Sequence, residues 1–388
     1  MERILTHLVS GAPDRGPSAA VCAVADRRGL VAEVAAGTSQ VGGDGADGGR
    51  PVADPPPVTA RTRFDVGSVT KAVATTALAM TLRARGRLDL DAPVATWLPG
   101  FTGDGRELVT VRQLLLHRGG LWEWWPTYVH ARGRDAALAF VQRLPLRYPP
   151  GAGRHYSDLG FMLLGAIVEE AAGEPLDALA RRAVFGPLGM ADTGYRRRGD
   201  PAPDPVAATS TGDAYERSMV ATGEPYPVAE DPAAFAGWRE HVLRGEVNDG
   251  NAFHAFQGVA GHAGLLTTAA DLCRFGTALL GALDPGSFRG GSPWPGAVVR
   301  EFLAAGPDPG QALGFQLREA AGSLVAGHSG FPGAELAVVP ERGVAVALVT
   351  NRLHPQSTPV DIEPAWTAIL DTVLEGAVLE GGTHQPCA

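Results

Sequence analysis

Lysine is almost missing from this chain of 388 residues: Lys71 is the only one, and every other member of the 33 basic residues is arginine. Cysteine is scarce as well. Cys22, Cys273 and Cys387 are odd in number, far apart and without metal-ligand spacing, which argues against a disulfide framework or a zinc site. No stretch approaches the roughly 18 consecutive apolar residues of a membrane span. The N-terminal region lacks the basic start, long apolar run and small-residue cleavage site of an export signal, so the sequence predicts a cytoplasmic protein with no membrane partner. A net charge of -9 provides no basic footprint for nucleic acid. What is present, 45% hydrophobic and 19% charged residues, belongs to a globular protein able to bury a large core.

Strand signals sit at the two ends of the chain. Residues 19–37 read as a strand pair turned at Arg27 to Gly29, and further strands are predicted at 315–318, 324–327, 335–339 and 344–350, before a final helix near 362–374. Residues 42–57, rich in Gly, Asp and Pro, read as an exposed insertion. Residues 68–85 change to Ala, Leu, Val and Thr and stop at Gly86, the pattern of a buried helix. Between them and the late strands, helical segments alternate with Gly/Pro-rich turns. The simplest topology is α+β: an antiparallel sheet built from N- and C-terminal strands, flanked by helices, with an all-helical lobe inserted. That gives one catalytic domain over 1–388, divided into an α/β lobe (about 1–75 and 265–388) and a helical lobe (about 76–264), with a ligand cleft between them.

Three pieces carry chemical potential. Ser68 precedes Lys71 by one helical turn, so hydroxyl and amine share a helix face. Serine is about 3% of the chain, so the sole lysine would stand three places after a serine by chance only about 3% of the time. A neutral amine can take the serine's proton; a guanidinium cannot. Tyr156-Ser157-Asp158 lies between a Pro-Pro-Gly turn and a helix, where Asp158 is either a helix cap or a cleft residue and Tyr156 a proton relay. His328-Ser329-Gly330 ends a late strand, where a strand edge can border the cleft and the following residue, Phe331, can offer a backbone N–H.

In this order the pieces resemble the serine β-lactamase and penicillin-binding-protein superfamily, in particular its class C-like branch of esterases, D-aminopeptidases and acyltransferases. The family order is Ser-x-x-Lys, Tyr-x-Asn, then Lys/His-Ser/Thr-Gly. Segments 64–71, 114–121, 156–161, 258–265 and 351–355 also look like family landmarks. The resemblance implies a β-lactamase/transpeptidase-like fold and a covalent route in which Ser68 attacks a carbonyl carbon while Lys71 and Tyr156 share its proton. It also implies an oxyanion held by the N–H groups of Ser68 and Phe331, His328 and Ser329 bonding the substrate or the Tyr156 hydroxyl, and no metal or organic cofactor. The expected partner is a small-molecule ester or amide, with water or an amine or alcohol as acyl acceptor; oligomeric state is not legible.

Two departures from the family bear on substrate. Asp158 replaces the usual Asn, which removes an amide donor and should favour protonated Lys71, and His328 replaces the lysine of dedicated β-lactamases. Trp122, Trp124, Trp125 and Tyr128 read either as an apolar cleft wall or as packing between lobes. Asp249 and Asn251 lie in a segment, 245–252, that resembles a cleft-side family loop, although turn chemistry accounts for them equally. The leading expectation is a serine hydrolase acting through acyl-Ser68, followed by an acyltransferase and then by a catalytically silent binding protein.

Overall fold

A computed structural model describes residues 1–11, 15–41, 54–228, 230–286, 292–355 and 358–376. Most of the predicted insertion at 42–57 lies outside them, as does Cys387. The main sheet has six antiparallel strands: β1 (Ala19–Asp26), β2 (Gly29–Gly37), β3 (Gln316–Ala320), β4 (Ser323–Gly330), β5 (Ala334–Val339) and β6 (Val344–Thr350). Their spatial order is β2-β1-β6-β5-β4-β3, so the chain's two ends meet where β1 pairs with β6.

The side-chain period of two sorts this sheet's residues between two cores. Val21, Ala23, Leu336, Val338, Ala345 and Ala347 face one way, into the larger core with the helix Ala269–Leu283. Ala20, Cys22, Val24, Ala337, Val346 and Leu348 face the other way, against Leu5 of the helix Glu2–Val9 and Trp366 of the helix Glu363–Leu374. Close packing here uses small residues: a Cβ on Gly276 would come within 2.6 Å of Ala345 Cβ.

The middle of the chain is mostly helical, and it carries more than the sequence predicts. Ala208–Thr211 pairs with Val242–Arg244, and Leu265–Thr267 is flanked by Phe64–Asp65 and Gly194–Tyr195. These strands have two to four residues each, too few for alternation to be read. Among the described residues no helix is long and apolar enough to cross a membrane.

Two features of the fold aim the site. Lys71–Thr76 is a wide, π-type turn of helix running into Ala77–Ala84, all of it buried, a distortion that often marks functional sites. And β3 pairs with β4 only as far as Gln316 opposite Gly327, so His328 to Gly330 end β4 with one edge free of strand neighbours.

Candidate active site

The loop before the π-type turn delivers Ser68. Gly67 adopts φ +47°, and a Cβ there would lie 2.5 Å from Pro332 Cδ and 3.4 Å from the Phe331 amide nitrogen. Glycine therefore lets the serine loop touch the turn after β4. Gly330 does the same from the other side, since a Cβ would meet Val66 O at 2.1 Å. Buried Asp65 accepts from the N–H groups of Gly67 (2.8 Å) and Asn248 (2.6 Å), tying the serine loop to the 245–252 segment; burial pushes its pKa up to about 6. Among the described residues, the N–H groups of Ser68 and Phe331 make no intramolecular hydrogen bond, which leaves both free for a ligand oxygen.

Lys71 is fully buried. Its Nζ donates to Ser68 Oγ at 2.7 Å and to the carbonyl of His262 at 3.3 Å, and lies 2.6 Å from Asp158 Oδ1. Burial alone would lower its pKa, but the Asp158 carboxylate and Tyr156 outweigh that and hold it above the ordinary lysine value. The Tyr156 hydroxyl interacts with both Lys71 and Ser68; burial raises its pKa although Lys71 pulls it down.

The second piece is set by a division of labour that sequence left open. Ser157, not Asp158, caps the helix Asp158–Ala172: its Oγ accepts from Gly160 N (3.1 Å) and donates to Trp122 O (2.6 Å). Asp158 is thereby released to meet Lys71. His117, in a segment quoted only as a landmark, is a positioning residue. It sits at φ +57°, its Nδ1 accepts from Ser157 N at 2.9 Å, and its ring packs against Tyr156 with centroids 4.4 Å apart and planes tilted by 34°. Burial holds its pKa well below the ordinary value, so it stays neutral.

These groups open onto a cavity of about 440 Å³. Ser68, Tyr156, Asp158, Ser329, Gly330, Phe331, Trp124 and Asp249 all line it. Five expected residues do not: fully buried Lys71, whose Nζ meets the lining at Ser68 and Asp158, and four others. His328 is 3% exposed and does not line the cavity; burial and Lys71 push its pKa down to about 3, so it is neutral at ordinary pH. Asn251 is fully buried, accepting from Thr127 N and Oγ1 (2.8 and 2.6 Å) and donating to Trp125 O (2.9 Å), so it staples the tryptophan loop. Trp122 donates to Pro145 O beneath Arg147, and Trp125 donates to Glu230. Each satisfies its indole N–H away from the cavity, which is why adjacency to Trp124 misleads.

Sequence reasoning missed several lining residues. Tyr226 stacks on Trp124 (6.0 Å between ring centroids) and, with Met219, extends an apolar wall. Glu216 takes hydrogen bonds from Tyr128 OH (2.7 Å) and Gly250 N (2.8 Å), and burial with Asp249 and Asp213 nearby raises its pKa to about 8. Asp249 itself is bonded to His262 at 2.9 Å. Arg154, Gln316, Glu335 and Arg352 close the cavity. No short motif surrounds any of these residues.

The Beta-lactamase family model matches residues 5–369. The chain belongs to the Beta-lactamase family. Among curated relatives, this family member is 31% identical over 334 residues to an N-acetylmuramyl-L-alanine amidase of Bacillus subtilis (strain 168), covering 80% of this chain and 71% of that protein. It is 27% identical over 350 residues to a putative D-alanyl-D-alanine carboxypeptidase of Escherichia coli (strain K12), covering 81% and 75%. Among solved structures, SurE superposes over all of this chain and 77% of its own, with a TM-score of 0.69 at 25% identity. A D-amino acid amidase from Ochrobactrum anthropi SV3 matches with a TM-score of 0.69 over 97% of this chain and 98% of its own; at 18% identity it shows a shared fold alone.

Proposed function

We propose that this protein is a serine hydrolase that cleaves an amide or ester of a small amino-acyl compound through an acyl-Ser68 intermediate. The observation that carries the reading is the 2.7 Å contact between Lys71 Nζ and Ser68 Oγ at the wall of a cavity that the Tyr156 side chain also lines. Ser68 Oγ attacks the carbonyl carbon, and the carbonyl oxygen, now negative, is met by the N–H groups of Ser68 and Phe331. The leaving group departs with a proton, and water repeats the cycle on the acyl-enzyme. The cavity lies at the seam between a lobe of about 1–75 and 265–388 and a lobe of about 76–264.

The substrate class follows from the cavity's two poles. Trp124, Tyr226 and Met219 suit an apolar side chain, while the Asp249 carboxylate suits a free ammonium, with Glu216 beside it held neutral by burial. An amino-acyl amide carries both. Support comes from the names of similar proteins, an amidase and a putative carboxypeptidase, and from a SurE structure with D-Leu. Neutral His328 supplies no fixed cation for a carboxylate beside Ser68, which separates this site from a β-lactam-hydrolysing one.

Incubation with a fluorophosphonate, then with D- and L-aminoacyl amides and esters, followed by intact mass, tests the reading. A stoichiometric adduct in the wild type that Ser68→Ala lacks is the expected result; absence of any adduct across the panel overturns it in favour of a silent binding protein. Transfer to an amine or alcohol is the second reading, favoured by the apolar Trp124–Tyr226 pair in the same cavity lining as Ser68, since keeping water from an acyl-enzyme favours transfer. The ratio of hydrolysis to transfer product with an added acceptor separates the two.

A further inference from the structure

The resting site poses a problem of proton counting, given the acyl-Ser68 reading. Lys71 is held as an ammonium on several sides: Nζ donates to Ser68 Oγ and His262 O, interacts with the Tyr156 hydroxyl, and lies 2.6 Å from Asp158 Oδ1, a buried oxygen with no well-directed hydrogen bond of its own. Two rings reinforce the cation, Tyr156 at 4.9 Å and Phe161 at 5.8 Å from Nζ. In that state Nζ has no lone pair and cannot accept the serine's proton. Tyr156 as a phenol cannot accept it either without passing its own proton on.

Few neighbours can serve as the sink. The His262 carbonyl and the Phe161 ring hold no proton. His117 lies against the face of the Tyr156 ring, with Nδ1 already accepting from Ser157. His328 is 6.1 Å from that ring and its Nδ1–H donates to Ser329 O. Arg154, 5.9 Å from the ring, is a cation, and Asp249 is engaged by His262. Asp158 alone is a carboxylate in direct contact with the pair, and it is the residue at which this chain departs from the Tyr-x-Asn pattern.

We propose that Asp158 is the final acceptor of the Ser68 proton, receiving it through Lys71. An Nζ proton turns toward Asp158 and crosses the 2.6 Å contact to Oδ1, which has no hydrogen bond of its own, and rotation about Cε–Nζ turns the freed lone pair to Ser68 Oγ. The Ser68 O–H bond then breaks, its proton bonds to Nζ, and the oxygen's electron pair forms the bond to the substrate carbonyl carbon. The carbonyl π pair moves to its oxygen. The net change is an ammonium at Lys71 as before, a neutral carboxylic acid at Asp158, and a tetrahedral oxyanion. Collapse reverses the relay: the carbonyl carbon's bond to the leaving nitrogen or oxygen breaks, and Asp158 returns its proton through Lys71 to that atom.

The test compares Asp158→Asn, which keeps shape and an acceptor oxygen but cannot bind a proton, with Asp158→Ala in the presence of formate or formamide. Fluorophosphonate labelling of wild type, lost in Ser68→Ala, first establishes the nucleophile; without it the underlying reading and the relay fall together. With the nucleophile established, Asp158→Asn should lose a hundredfold or more in kcat with KM within about threefold, and Asp158→Ala should be rescued by formate and not by formamide. Wild-type kcat in Asp158→Asn, or equal rescue by the two additives, overturns the relay alone. Should Asp158→Asn fail to fold, the Asp158→Ala rescue and the activity of Asp158→Glu decide: formate rescue or a more active glutamate supports the relay, and failure of both overturns it.

Discussion

Gly67→Ala is a severe change of one methyl group, and the structure supplies its scale. At φ +47° an L-residue costs about 1–2 kcal/mol relative to glycine. The new Cβ would sit 2.5 Å from Pro332 Cδ, against about 3.4 Å for ordinary contact, so the serine loop and the turn at Phe331 must part by about 0.9 Å. That gap opens between the two amides proposed to hold the oxyanion. A displacement of about 1 Å at a reacting centre can cost a hundredfold, and loss of one oxyanion donor costs 10²–10³ in kcat. Gly67→Ala should therefore lower kcat at least a hundredfold while lowering stability by only about 1–3 kcal/mol. Gly86→Ala is the matched control: it has φ +66° and nothing within 4 Å of the added Cβ, so it carries the strain without the clash. Steady-state kinetics on an aminoacyl amide, with denaturant unfolding of both variants, make the comparison. If Gly67→Ala retains kcat within threefold of Gly86→Ala, the two amides do not cooperate and the oxyanion assignment is wrong.

Other outcomes follow from charge and burial. Lys71→Arg should abolish turnover as fully as Ser68→Ala, because a guanidinium cannot give up its proton; measurable single-turnover acylation in Lys71→Arg would contradict this. Asp213, almost wholly buried between Arg239 and His254, has its pKa held down to about 2 against the opposing effect of burial. Its stabilisation of about 2.5 kcal/mol is present above pH 4 and is lost as pH falls toward 2, so Asp213→Asn should cost stability at pH 6 and little at pH 2, read from denaturant midpoints. Glu335 is shifted the other way, up to about 8 by burial. It favours the folded state while protonated and loses that advantage as pH rises from about 4.5 to 8, so Glu335→Gln should flatten the decline in midpoint over that range; parallel curves would count against the shift. Trp124→Ala should raise KM for acyl groups with large apolar side chains more than for glycyl ones, measured across an amide series.

The parts of this molecule that were legible in sequence are those whose meaning is local. Ser68 stands in the turn that leads into the helix carrying Lys71, three residues on, and Tyr156 and Asp158 flank a helix start, so local spacing brings each pair to one place. Strand β6 was placed at its observed bounds because Val344–Val349 is an unbroken apolar run, closed by the β-branched Thr350 and buried on both faces. The rest depends on meetings between distant segments. Glu216, Met219 and Tyr226 enter the cavity because of how 214–228 lies across it, and nothing at those positions announces that. Asn251 was expected at substrate because its segment is; in the fold its amide is consumed by Thr127 and Trp125. His328 was expected to bond the substrate or the Tyr156 hydroxyl; in the fold it is buried, neutral beside Lys71 and outside the cavity lining. The amphipathic helix Glu2–Val9 has no visible purpose until the outer face of the sheet exists to receive Leu5.

The short overlap of β3 with β4 also works as a ruler. With pairing ending at Gln316 opposite Gly327, the free edge from His328 to Gly330 is three residues long, about 10 Å. A ligand laid along it as a further strand has about three residues of edge to pair with, and competes with Gln316 Oε1 for the Ser329 N–H. The Gln316 side chain stands beside this edge and accepts from Ser329 N and Oγ (both 3.3 Å). Where one strand stops thus sets both how much edge a ligand can use and which side chain it must displace to use it.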